Sequence, residues 1–409
     1  MNSTFLVLFL IVTCTSTVVS LIFLYLTSQH NYVTVVPANQ DRDFPAKIST
    51  STNQSRPINV TSKPRHPLIL YWGLPWGAAG YTPADGTMID DCYVTNDRQK
   101  LSQSDIVVFH YTVINKRLIP WKLYRTADQV FVWWSAENPA ILKHAGVDLS
   151  LYDGGFFNWT WTYRLDADVY RGYGYRGKVI DAVAKGTKAI DDVIKKKRKL
   201  AVWFVSKCGA TRGAQKRLEY SQKLVEAGLD LERIGKCFNN QHLMPKGSKN
   251  FRETLRQYKF YMAFENSINC TDYVTEKFWF NALKNDAVPV VWGTPKRDLL
   301  RVAPPDSFIH VEDFSTPDLL AKYLNFLNRN QTEYRKYFRW REDESITDEK
   351  MISMIKEKYP DVKPLERPPS ICEKFLANRG RKSIESLNKE FILSNPKECY
   401  ELATNHKGA

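Results

Sequence analysis

Phe260-Tyr-Met-Ala-Phe-Glu-Asn-Ser-Ile-Asn-Cys-Thr-Asp-Tyr-Val-Thr-Glu-Lys277 passes from an apolar run through a polar loop to a helix start. Phe260–Phe264 has the length and composition of a buried strand. Thr275–Asn285 reads as a helix with Phe278, Trp279, Ala282 and Leu283 on one face. Ala287-Val-Pro-Val-Val-Trp292 is the next strand, and Gly293 ends it. Strand, helix and strand in this order build a parallel α/β sheet. The loop at 264–277 then lies where such sheets bind anions, beside free N–H groups at the positive end of a helix. Lys277 offers a mobile cation for a phosphate, and Glu276 an acceptor for sugar hydroxyls. An ordinary capped helix, with Thr275 as the cap and two surface charges, is the plainer alternative.

Working outward, Leu68–Trp72, Ser104–His110, Gln129–Trp134 and Leu200–Ser206 are further strand-like runs. Lys116–Asp128, Gln215–Ala227 and Phe251–Tyr258 have helical patterns. A basic stretch around Val179–Lys199 separates two α/β halves in series, and the cleft between such halves is a natural ligand site.

The 409 residues are 43% apolar and 13% aromatic, which describes a folded body rather than a disordered chain. The formal charge of +14 suits acidic partners: nucleic acid, anionic membrane or a phosphate-bearing substrate. The run Lys195–Lys199 has the form of a nuclear signal, but is read here as the solvated end of an amphipathic helix. Residues 5–26 carry no charge and are long enough to cross a hydrocarbon core of about 30 Å. Residues 27–66, rich in Ser, Thr, Asn and Pro, have the composition of a stem. Sequons at Asn53, Asn59, Asn158, Asn269 and Asn330 point to the secretory lumen, as do six cysteines beyond the apolar segment. Those six allow full disulfide pairing in any of 15 connectivities, and none shows zinc-site spacing. A luminal chain is in the wrong compartment to bind nucleic acid.

Tyr258–Ser267, Asp272–Trp279, Asn281–Leu283 and Ala287–Val291 together resemble the α1,3/4-fucosyltransferases of glycosyltransferase family 10. Ser104–His110 (SDIVVFH), Trp134–Pro139 (WSAENP), Phe157–Asp168, Val202–Ser206 and Ser307–Phe314 extend the match in order along residues 68–345. The resemblance implies a type II Golgi membrane enzyme with its catalytic body in the lumen. Its fold would be GT-B-like, with two Rossmann-like domains facing across a cleft. On this reading 1–4 is a cytoplasmic tail, 5–26 the anchor and 27–66 the stem. Residues 67–195 form an acceptor-side domain, 196–345 a GDP-fucose-binding domain and 346–409 an extension. The implied reaction is inverting transfer of L-fucose from GDP-β-L-fucose, in α1,3 linkage, to GlcNAc of a LacNAc antenna or an N-glycan core.

Inversion needs a carboxylate base and cations on the departing diphosphate. Glu137 matches the family's base, although the bare sequence supports no more than a loop carboxylate there. Arg217 and Tyr220 match an Arg-x-x-Tyr, with Arg217 as a diphosphate fork beside Lys277. Tyr173, Ser206, Asn266 and Tyr273 are similar to donor-contacting positions, and Glu276 to a catalytic carboxylate that binds the ribose or fucose hydroxyls or acts electrostatically near the developing cation. Asp166-Ala-Asp168 has the form of a metal-binding DxD, but the family implies no required metal, with Mn or Mg at most a stimulant. His110 is read as a packed, hydrogen-bonded histidine. Lys207 and the residues 211–216 after it depart from the family pattern. A luminal glycan-binding protein that keeps the fold without catalysis is the alternative.

Overall fold

The computed structural model describes residues 65–78, 80–114, 125–245, 250–377 and 382–402. The expected anchor, the expected stem up to residue 64, the sequons Asn53 and Asn59, and most of the expected helix Lys116–Asp128 lie outside them. Among the described residues no helix is long and apolar enough to cross a membrane.

Strands of the described residues form two sheets. The first contains β1 (Leu68–Tyr71), β2 (Met88–Ile89), β3 (Cys92–Thr95), β4 (Ile106–His110), β5 (Val130–Ser135), β6 (Trp159–Thr162) and β7 (Val169–Tyr170). Their order is β2-β3-β1-β4-β5-β6-β7, parallel throughout except for the β2–β3 hairpin. The second contains β8 (Lys199–Phe204), β9 (Leu231–Ile234), β10 (Tyr258–Phe264), β11 (Val288–Trp292) and β12 (Ile309–His310). It is wholly parallel, in the order β12-β11-β10-β8-β9.

Both sheets are covered on both faces, which is why their central strands read as unbroken apolar runs. In the first, Leu70, Val107, Phe109, Phe131 and Trp133 face one core, while Ile69, Tyr71, Val108, Val132 and Trp134 face the other. In the second, Val202, Tyr261 and Val291 oppose Trp203, Met262 and Val290 in the same alternation.

The C-terminal residues return to the first sheet. Ile371 and Phe375, from the helix Ile371–Ala377, close one face of it, and Ile384, Leu387 and Phe391 close the other. All six cysteines of the described body pair, as Cys92–Cys372, Cys208–Cys237 and Cys270–Cys399. The first and third tie the returning segment to the first sheet and to the loop after β10.

Two local expectations change. Thr275–Asn285 is not a plain α-helix: Lys277–Ala282 is a π-turn that tightens into 3-10 geometry at Leu283–Asn285. The wider turn lets the adjacent large rings of Phe278 and Trp279 both enter the core, 4.8 Å apart. In the basic run, Lys197 is buried instead of solvated. Its ammonium donates to the carbonyls of Arg256 and Tyr258 at 2.9 and 2.8 Å. Burial pushes it down to about 7.

Candidate active site

The loops that follow β5 and β10 meet. After β5, the Ser135 hydroxyl accepts from the Glu137 N–H at 3.1 Å, and Asn138 caps the helix Pro139–His144 by accepting from Ile141 N–H. Glu137 is thus held in a short turn between a buried strand and a capped helix. The Asn138 amide donates across to Asn266 Oδ1 at 2.8 Å, and the Tyr273 hydroxyl donates to Glu137 Oε2 at 3.4 Å. Tyr173 donates to the Ala136 carbonyl at 3.1 Å, and its ring meets Tyr273 edge-on. Glu137, Tyr173, Asn266 and Tyr273 are therefore brought together.

The loop after β10 is fixed from several sides. Cys270 is bonded to Cys399, and Tyr273 packs edge-on against Tyr163 in the core of the first sheet. Asp272 has φ +58°, accepts from Leu165 N–H at 2.9 Å and pairs with Arg301 at 3.3 Å. Burial lifts the Asp272 carboxyl to about 6, against the pull of the Leu165 hydrogen bond and Arg301.

At the helix start lies a residue that the sequence did not single out. Glu265, 2% exposed, directly follows β10. Its carboxylate accepts from Thr275 N–H at 2.9 Å, from the Thr275 hydroxyl at 2.8 Å and from Lys277 Nζ at 2.9 Å. Thr275 therefore does not act as a simple cap. Burial pushes the Glu265 carboxyl up, while the ion pair with Lys277 opposes it. Lys277 is desolvated too, but the Glu265 and Glu276 carboxylates hold its ammonium above the ordinary lysine value. Glu276, at 40% side-chain exposure, remains open to solvent, 3.3 Å from Lys277 Nζ. The one early signal for Glu265 was its place immediately after a strand, which any loop carboxylate shares.

Arg217 projects from the helix Arg212–Glu226, whose cap Thr211 accepts from Ala214 N–H and donates to the Asn266 carbonyl. Gly213 lets that helix touch the loop, since a Cβ there would lie 2.5 Å from Ser267 Cα. Arg217 is buried and donates to the carbonyls of Phe264 and Lys207, both at 2.8 Å. Its Nε has no partner, and burial lowers the guanidinium to about 10. Tyr220 packs its ring edge-on against Phe264, 5.8 Å away, and Ser206 is exposed just after β8, two residues before the disulfide-bonded Cys208. Two cations, Lys277 and Arg217, and three carboxylates, Glu137, Glu265 and Glu276, thus gather at the C-terminal strand ends. There a nucleotide-sugar diphosphate and a hydroxyl nucleophile could be served at once.

The remaining candidates have local roles. Asp168 accepts from the Thr160 N–H at 3.0 Å and Asp166 pairs with Arg164, so the DxD is tied into the connection between β6 and β7. His110 is buried, hydrogen-bonded to Thr112 at 2.8 Å, and pushed down to about 3 by desolvation. The sequon residue Asn158 has a local structural role. Its amide is buried, accepts from Phe131 N–H at 2.9 Å and donates to the Lys382 carbonyl at 2.8 Å. A glycan on that nitrogen would replace its hydrogen bond to Lys382. Asn269, with φ +53°, is half-buried in the loop, and Asn330 caps the helix Gln331–Arg335.

Residues 194–390 match the model of glycosyltransferase family 10 (fucosyltransferase), C-terminal part, and 64–174 that of the fucosyltransferase N-terminal part. The chain is 36% identical over 301 residues to 4-galactosyl-N-acetylglucosaminide 3-alpha-L-fucosyltransferase FUT6 of Pan troglodytes, covering 71% of this chain and 77% of that one. It is 37% identical to the Homo sapiens FUT6 protein over 71% and 77% of the two chains. To 3-galactosyl-N-acetylglucosaminide 4-alpha-L-fucosyltransferase FUT3 of Pongo pygmaeus it is 38% identical, over 69% and 72%. A solved alpha1,3-fucosyltransferase with GDP-fucose is similar at 16% identity and a TM-score of 0.44, over 74% of this chain and 93% of that one. The chain belongs to glycosyltransferase family 10, the fucosyltransferases.

Proposed function

We propose that the chain transfers L-fucose from GDP-β-L-fucose, with inversion and in α1,3 linkage, to GlcNAc of a protein- or lipid-linked glycan. The carrying observation is the meeting of Glu137 with the loop that holds Lys277. A candidate base and a candidate diphosphate cation lie on opposite sides of one seam, as an in-line displacement requires. In this reading Glu137 takes the acceptor proton as the acceptor oxygen bonds to fucose C1. The C1–O bond to GDP breaks, and the charge leaving with GDP is met by Lys277 and Arg217. Tyr173, Ser206, Tyr220, Asn266, Tyr273 and Glu276 border the donor. Cations from the protein supply the neutralisation, so we expect activity in EDTA.

The relatives are named for 4-galactosyl- and 3-galactosyl-N-acetylglucosaminide acceptors, which favours a LacNAc-type antenna. Three disulfides favour an oxidising compartment. We place the protein in the Golgi membrane through residues 5–26, with a GT-B-like two-domain body in the lumen. The purified chain should release GDP and form fucosylated product when given GDP-fucose and LacNAc or chitobiose-core acceptors. GDP-fucose binding without transfer to any of them would favour a glycan-binding protein instead.

A further inference from the structure

Lys277 has no donor to spare. An ammonium carries three N–H groups. Those of Lys277 go to Glu265 Oε2 at 2.9 Å, Thr275 Oγ1 at 2.7 Å and Glu276 Oε1 at 3.3 Å. A phosphate reaches it only by displacing or sharing one of these partners. Glu276, at 40% exposure, can turn to solvent, but the Glu265 side chain, at 2%, cannot.

Glu265 sits in a closely fitted place. Its N–H donates to the Trp292 carbonyl at 3.0 Å, and Gly293, at φ +100°, leaves open a position where a Cβ would lie 3.1 Å from Glu265 Cβ. The charged and titratable groups around it are Lys277 and Glu276 from the helix start and Arg217 from the helix Arg212–Glu226. Tyr261 of β10, Tyr273 of the loop after it, and Tyr173 complete the set. Burial pushes all three tyrosine hydroxyls far up, so they stay neutral. Burial also works against the charge on Glu276, but Lys277 holds that carboxyl below its ordinary value. Glu265 is the carboxyl that burial lifts.

Carboxylates already outnumber cations at this site. A nucleoside diphosphate sugar adds two negative charges beside Lys277 and Arg217, and like charge raises a neighbouring carboxyl further. A proton then goes to the carboxylate that solvent cannot stabilise. Protonated Glu265 is satisfied in place, because the Thr275 hydroxyl that donates to it at 2.8 Å can equally accept.

We propose that Glu265 is the positioning residue for Lys277 and the proton acceptor of donor binding. In the empty site its carboxylate holds the ammonium. When the diphosphate takes the ammonium's charge, the carboxylate takes one proton from solvent, and it returns that proton when the nucleotide leaves. The inference rests on the donor being GDP-fucose.

The sign follows from linkage: the complex binds more protons than the free chain, so affinity falls as pH rises. The fall begins at the free-chain value of Glu265, above the ordinary carboxylate range, and ends at its higher value in the complex. Calorimetric titration of the purified full-length chain with GDP-fucose tests this from about pH 5.5 to 8, using two buffers of different ionisation enthalpy at each pH. Both phosphates of GDP-fucose are diesters, so the ligand itself exchanges no proton in this range.

Uptake should approach one proton within the window, and Kd should rise about tenfold across it, one tenfold step per unit of carboxyl shift. Glu265→Gln, which imitates the protonated acid, should abolish the uptake and flatten Kd, binding about tenfold tighter than the parent at pH 8. A purely structural role would instead weaken binding at every pH and leave the slope. Asp272, lifted to about 6, is the other carboxyl that titrates here, and uptake that survives Glu265→Gln overturns the proposal in its favour. Thr275→Val removes a donor to the charged carboxylate and should move the onset of the fall to higher pH, which decides the matter if Glu265→Gln does not fold. An unmoved onset overturns the proposal. Binding without proton uptake at any pH rejects the exchange alone, whereas no binding of GDP-fucose sinks the fucosyl reading and the exchange with it.

Discussion

Tyr273 donates its hydroxyl to Glu137 across 3.4 Å, although the two residues are 136 positions apart in sequence. Tyr273 belongs to the loop after β10 and Glu137 to the turn after β5, so one hydrogen bond joins the strand ends of two sheets. Because Tyr273 is packed against Tyr163 and its loop is tied to Cys399, it can orient the carboxylate as well as bond to it. The contact is long for a hydrogen bond to a carboxylate, and such bonds shorten once substrate fills the site.

Glu137→Gln keeps the shape of the side chain and removes its basicity. We expect kcat to fall by about 10²–10⁴, the usual worth of a general base, while GDP binds as before. Single-turnover transfer and calorimetric GDP titration read the two quantities. A matching loss of GDP affinity would move Glu137 to the donor side.

Lys277→Ala leaves the Glu265 carboxylate buried without its cation. Breaking such a pair costs about 3–5 kcal/mol, so the variant should melt well below the parent. Adding Glu265→Gln removes the orphaned charge and should restore much of the thermal stability without restoring transfer. Melting curves and activity on the same four proteins complete the cycle. Recovery of neither would mean that the pair is not the source of the loss.

His110 gives the fold an acid-sensitive element. Its folded value is about 3, well below that of an unfolded histidine, so the folded ring stays neutral. Its contribution is fully present above about pH 6.5 and declines as pH falls toward 3. Between pH 6.5 and 5 the loss is about 2 kcal/mol. His110→Gln should flatten that slope in urea melts across the interval, whatever constant offset its altered packing adds. An unchanged slope would place the acid sensitivity elsewhere.

Asn158→Gln should leave the glycoprotein mass unchanged after correction for the substitution. It should also lower stability by about 1–3 kcal/mol through lost buried hydrogen bonds. Asn330→Gln is the control, since the cap uses the side-chain oxygen and the amide nitrogen makes no hydrogen bond among the described residues. Intact-mass spectrometry with and without glycosidase reads both.

The central strands were legible because each is buried on two faces, so β1, β4, β5, β8, β10 and β11 stand out as apolar runs. Trp159-Thr-Trp-Thr162 and Leu231-Glu-Arg-Ile234 were not read as strands, being four residues long and mixed in polarity. Lys277 and Glu276 could be found because the loop between strand and helix announces an anion site. Glu265 could not, because its partners lie ten and twelve residues ahead and its burial arises only when the helix start folds back over β10. The return of residues 371–399 to the first sheet was equally hidden, since it depends on contacts as remote as Cys92–Cys372.

That return sets a timetable for biosynthesis. Cys92 is synthesised 280 residues before its partner Cys372, which at 5–20 residues per second is about 14–56 s of translation. Throughout that interval the face of the first sheet bearing Ile69, Val108 and Trp161 has no Ile371 or Phe375 to cover it. The thiol of Cys270 likewise waits for Cys399. The nascent protein therefore carries an open hydrophobic face, with Cys92 and Cys270 lacking their partners, until residues 371–399 have been made, so closing the first sheet is a late step.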